Sequence, residues 1–163
     1  MFFYSKEPIK KIVFCSSQRF RREMLQFIKE LKEIIKKSKT PLIILEPDFD
    51  ELPEELLGMS EKDRLKNEEY RKQIIWDASN HLFSRVKKAD IVFIFNKDGY
   101  VGVNTSGELF AAAVLNKKIY ALEEKVMMGK YPDDLYEEPF VSFLIFGVTP
   151  TPKEFFEKIS QEK

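Results

Sequence analysis

Apolar residues along the chain form two patterns: short unbroken runs, and longer segments in which they recur every three or four positions. Lys11 to Cys15 (KIVFC), Pro41 to Leu45 (PLIIL), Ala89 to Phe95 (ADIVFIF) and Lys118 to Leu122 (KIYAL) are of the first kind. A run without polar alternation is what a strand covered on both faces of a parallel sheet looks like. Phe140 to Phe146 is read as a fifth strand. From Phe20 to near Ser38, Met24, Phe27, Ile28, Leu31, Ile34 and Ile35 keep helical spacing, with Arg, Lys and Glu on the opposite face. Pro47, Asp48 and Asp50 mark a turn, and the stretch through Pro53 and Gly58 holds at most a short helical turn. Ser60 then caps a helix predicted to reach Lys88, with Leu65, Ile75, Ala78, Leu82 and Val86 as its apolar stripe. An Ala-rich helix is predicted from Thr105 to Leu115. Thr151 to Glu154 combines a capping box with proline at the first helical position, ahead of Phe155, Phe156 and Ile159.

Strands alternating with helices imply right-handed crossovers. The expected fold class is α/β, a doubly wound, flavodoxin-like parallel sheet of five strands with helices on both faces, as one domain over residues 1–163. Ligands of such sheets bind beyond the carboxyl ends of the strands, where strand order reverses. That rule singles out Cys15 to Arg19 and Asn96 to Glu108.

Composition narrows the partners. A content of 44% hydrophobic residues, 15 of them Phe in all, is enough for a real core in 163 residues. The 27 basic and 27 acidic side chains are interspersed, so no field of one sign attracts a polyanion, and nucleic acid is not expected as a partner. No apolar stretch reaches the about 18 residues needed to span a bilayer. In MFFYSKEPIKK the charges follow the apolar residues instead of preceding them, which reads as no signal peptide. The expectation is a soluble, cytoplasmic protein. Cys15 has no second thiol to pair with, and the single histidine, His81, offers no metal-ligand spacing. Neither metal nor cofactor is expected, and Cys15 reads as a small core residue. His81 either lines the site or is a structural histidine.

The chemistry-bearing segment is NKDGYVGVNTSGEL. Two turn glycines, Gly99 and Gly102, precede Asn104, Thr105 and Ser106, any of which can cap the next helix and leave backbone amides for an oxygen-rich or anionic ligand. Glu108 is expected in the first turn of that helix, where it is either a first-turn acid favoured by the dipole or a nucleophile. Asn96 and Asp98 are candidates for assisting a leaving group, or else turn-forming residues. Tyr100 can stack on a base or pack across the loop. Ser16, Ser17, Gln18 and Arg19 follow the first strand, where hydroxyls, helix amides and a guanidinium can hold a phosphate or sugar hydroxyl.

HLFSRVKKADIVFIFNKDGYVGVNTSGELFAAAVLNKKIYAL, together with FCSSQRFRREM, resembles the core of the nucleoside 2-deoxyribosyltransferase-like superfamily, which includes deoxynucleotide N-hydrolases. The resemblance covers roughly half the chain, and Glu108 matches the family's glutamate that attacks the anomeric carbon of the sugar. It implies transfer or hydrolysis of the N-glycosidic bond of a nucleoside or nucleoside 5′-monophosphate. Glu108 would be the nucleophile, Asp98 would assist the base, and Ser16, Ser17, Arg19, Asn96, Tyr100, Gly102, Asn104 and Thr105 would hold the substrate. It also implies a homodimer or higher homo-oligomer. Two residues depart from the pattern: Ser16 and Phe110 both stand where relatives usually have Gly, which narrows backbone approach and gives Phe110 a means of closing the pocket. The alternative is therefore a non-catalytic nucleotide-binding or sensing domain on the same fold.

Overall fold

The computed structural model describes residues 9–48 and 52–161. The expectations that rest on MFFYSKEP and on Asp50 lie outside the described residues. Strand β1 (Lys10–Cys15) leads through a 3-10 turn (Gln18–Phe20) into α1 (Arg21–Ser38), and β2 (Leu42–Leu45) follows. After a further 3-10 turn (Glu54–Leu56) come α2 (Glu61–Arg64) and α3 (Glu68–Asn80), and α3 runs on as a π-helical segment (His81–Val86). Strand β3 (Ile91–Ile94), α4 (Val103–Val114) and β4 (Lys118–Ala121) precede the antiparallel pair β5 (Met127–Lys130) and β6 (Asp134–Glu137). The chain ends with α5 (Pro139–Phe143), β7 (Gly147–Val148) and α6 (Pro152–Ser160).

The main sheet is five-stranded and parallel throughout, in the order β2-β1-β3-β4-β7. Strand order reverses between β1 and β3, where Cys15 stands beside Ile94. Alternate residues of each strand face opposite layers. On one face Phe14, Phe93 and Tyr120 meet Phe27 of α1 and Phe155 of α6, with the Phe93 and Phe155 rings 4.7 Å apart and tilted edge to face. On the other, Val13, Cys15, Val92, Ile94 and Ala121 are small, and Val86, Leu109 and Ala112 pack on them. Among the described residues, the buried phenylalanines are thus confined to the α1 and α6 side. The opposite side lets α4 approach the sheet closely, and Cys15 points toward that helix.

Two expectations are corrected. The helix from Ser60 is not continuous to Lys88: Ser60 caps α2, and Asn67 then accepts a bond from the Tyr70 amide at 3.0 Å and starts α3. Asn67 followed by two acids was the missed cap signal. Phe140 to Phe146 is not a strand, because Glu138 accepts from the Phe140 amide and Pro139 occupies the first turn, which begins a helix instead. The fifth place in the sheet belongs to β7, where Gly147 lies so close to the Tyr120 ring that an added Cβ would sit 3.1 Å from it. Between β4 and α5 the chain forms the β5–β6 hairpin.

Among the described residues, no helix is long and apolar enough to cross a membrane.

Candidate active site

Two loops frame the point where strand order reverses. After β1, the Ser16 hydroxyl donates to the Phe95 carbonyl at 3.1 Å and so ties the ends of β1 and β3 together. The Ser17 side chain makes no capping bond although it heads the 3-10 turn. Arg19 lays its guanidinium over the rings of Tyr100 and Tyr131, 4.7 and 4.8 Å from their centroids.

After β3, Asn96 is fully buried and both polar atoms of its side chain are used internally. Its Oδ1 accepts from the Leu122 and Glu123 amides, and its Nδ2 donates to the Glu123 and Lys125 carbonyls. It clasps the β3 end to the segment after β4 and presents nothing to a ligand. Asp98 is exposed in the left-handed region at φ 57°. Its amide donates to Glu123 Oε1 and its carboxylate accepts from the Tyr131 hydroxyl at 3.0 Å. That bond raises the Tyr131 phenol above its ordinary value, because the phenolate would lose it. Gly99 has φ +73°, and a Cβ there would lie 2.8 Å from Met127 Cγ, so the turn admits no side chain without displacement. Tyr100 is buried and pairs with Met127 in a parallel bridge, so it packs beneath the loop.

Helix α4 begins at Val103, two residues before the expected Thr105, with Gly102 at its cap and no side chain capping it. Asn104, Thr105 and Ser106 lie within the first turn instead of ahead of it; Ser106 donates back to the Val103 carbonyl and Thr105 is buried. Glu108 therefore falls in the second turn, which corrects its expected first-turn placement. Dipole stabilisation of a carboxylate fades within the first turn. Burial decides instead, and raises the Glu108 carboxyl to about 7.

Glu108, 11% exposed at its side chain, meets Cys15 and His81. The Cys15 thiol hydrogen-bonds the Glu108 carboxylate, which lowers that carboxyl in part. His81 Nε2 lies 3.5 Å from Cys15 Sγ and 4.0 Å from Glu108 Oε1. Burial pushes the imidazole down to about 4, with the nearby Arg85 guanidinium adding to the effect. The approach of His81 to Glu108 is accordingly a contact with a neutral ring and not an ion pair. Burial first, and the facing carboxylate second, push the Cys15 thiol well above its ordinary value. Phe110, two residues beyond Glu108 and so about 200° round the helix, stacks on Phe140 at 6.0 Å instead of covering the carboxylate.

The sequence pointed to Glu108 and both loops, whereas the partnership of Cys15 with His81 was missed. The two residues are 66 positions apart, and no spacing rule connects them.

No protein-family model matches the sequence, and no curated protein matches it. Among solved structures, a conserved protein from Enterococcus faecalis V583 matches with a TM-score of 0.56 over 96% of this chain and 100% of its own, at 14% identity. What the two share is the fold. Further matches are a 2-deoxyribosyltransferase from Bacillus psychrosaccharolyticus, with a TM-score of 0.36 over 68% of this chain and 70% of that one at 22% identity; and the CMP N-glycosidase BcmB from Clostridium botulinum, with a TM-score of 0.42 over 93% and 98% at 13% identity.

Proposed function

We propose that the protein transfers or hydrolyses the N-glycosidic bond of a nucleoside or nucleoside 5′-monophosphate through Glu108. The observation that carries this reading is the position of Glu108: on a rigid helix, beside the carboxyl end of β1, held by a thiol and a neutral imidazole. The sequence resemblance assigns the nucleophile to the same residue. In the reaction a Glu108 oxygen bonds to C1′ while the bond from C1′ to the base breaks, and the leaving base takes up a proton from solvent. Water, or a second base, then displaces the ester and restores the carboxylate. Asp98, linked to the Tyr131 hydroxyl, is the group assigned to the departing base. Ser17 and Arg19 are assigned to the sugar or its 5′-phosphate.

The same reading includes a homo-oligomer. Helix α3 has no buried residue, yet Ile75, Trp76 and, just beyond it, Phe83 are 63, 69 and 63% exposed. A helix of this length is marginal without a packed face, and a second copy of the chain would supply one.

The test is incubation with ribo- and deoxynucleosides and their 5′-monophosphates, followed by chromatography for free base. Base release from at least one member is expected, reduced on the order of 10³-fold or more in Glu108→Gln. Because attack needs the ionised carboxylate, kcat/KM should fall with pH below about 7, the value to which burial raises Glu108, and level off above it. Release that survives Glu108→Gln unchanged sinks the assignment. Tight binding without release would make the protein a nucleotide sensor instead.

A further inference from the structure

We propose that Cys15 Sγ, His81 Nε2 and the Glu108 carboxylate together bind one zinc-class divalent cation, which while bound withholds that carboxylate from a sugar. The three ligand atoms lie within 4.8 Å of one another. For a tetrahedral zinc ion with bonds of about 2.3 Å to sulfur and about 2.0–2.2 Å to nitrogen and oxygen, ligand atoms stand about 3.3–3.6 Å apart. The sulfur-to-nitrogen edge already measures 3.5 Å. The nitrogen-to-oxygen edge, at 4.0 Å, closes with a small turn of the Glu108 side chain.

The ligands come from β1, the π-helical segment and α4, so the packed fold sets their spacing in advance. The Phe14 backbone beside His81 restrains the imidazole further. One thiolate, one imidazole and one carboxylate suit zinc and disfavour magnesium and calcium, which prefer oxygen alone. On binding, the metal replaces the thiol proton, and the carboxyl proton where present, and both pass to solvent. The thiolate and carboxylate then balance the charge of the cation, which limits the cost of holding it away from bulk water. Three protein ligands leave the fourth position for water.

The full chain, stripped of metal with a chelator, is titrated with Zn²⁺ by calorimetry and with Co²⁺ by absorbance. Binding of one ion per chain is expected, with a thiolate-to-cobalt charge-transfer band in the wild-type protein. Affinity should weaken about tenfold or more in each of Cys15→Ser, His81→Gln and Glu108→Gln. A wild-type spectrum without the sulfur band overturns the proposal, whatever the variants do. So does Zn²⁺ binding that Cys15→Ser and His81→Gln leave unchanged. Neither readout involves a nucleotide, so failure here leaves the glycosidic reading intact, and failure to release base leaves the metal site intact.

Discussion

Burial raises Glu108 to about 7 and pushes His81 down to about 4, so the two groups make opposite demands on pH. An unfolded glutamate titrates near 4.5. The contribution of Glu108 to stability is therefore complete below that value and is lost as pH rises through about 7, a difference of about 3 kcal/mol. His81 behaves in reverse: its contribution is present above the ordinary 6.5 and is lost as pH falls through about 4. Glu108→Gln removes the first dependence and keeps the second. Thermal melts of the variant should accordingly lie above the wild type at pH 8 and converge with it below pH 4.5; parallel curves across that range would refute the assigned burial of the carboxyl. At this scale the sequence was informative about Glu108, because loop and helix signals sit beside it. It was silent on what surrounds that carboxylate. Cys15 reads as a core residue and His81 as a helix residue, and only the folded chain brings their side chains together.

Among the elements, the clasp formed by Asn96 is the least expendable. Replacing it with Ala takes their partner from the half-buried Glu123 amide and from the Glu123 and Lys125 carbonyls, while the Leu122 amide keeps the Ile94 carbonyl. The expected cost is about 2–4 kcal/mol in urea unfolding, and a loss below about 0.5 kcal/mol would show that the clasp can be remade by water. The strands on the buried side of the sheet were legible, since their unbroken apolar runs have no other use in a domain of this size. The segment after β4 was not. Phe140 to Phe146 carries the composition of a strand, but the Glu138–Pro139 pair directs it into α5, and local capping prevailed over side-chain preference. The β5–β6 hairpin escaped because Gly129 and the charged residues around it interrupt any period-2 pattern.

For the molecule as a whole, the outward face around Ile75, Trp76 and Phe83 bears on assembly. Sedimentation should show at least a dimer, and Trp76→Glu with Phe83→Glu should return the monomer without loss of fold; a wild-type monomer at micromolar concentration would refute this surface as the contact. The architecture itself was foreseen from the alternation of strands and helices, but the phase of this long helix was not. The expected stripe through Leu65, Ile75, Ala78, Leu82 and Val86 buries Val86 and leaves Ile75 and Leu65 outside. Leu65 ends α2, ahead of the break at Asn67, whereas Ile75 is accounted for by the π-helical segment. Its wider turn, with the Lys87 amide bonded to the Leu82 carbonyl, accommodates one residue more than a regular coil, so positions before it are out of step with those after it by about 100°. A sequence shorter by one residue between His81 and Val86 would wind as an ordinary helix. It could keep Val86 packed on the sheet, or keep its tryptophan facing outward, but not both, so this single surplus residue couples the buried end of the helix to the exposed face where another subunit would sit.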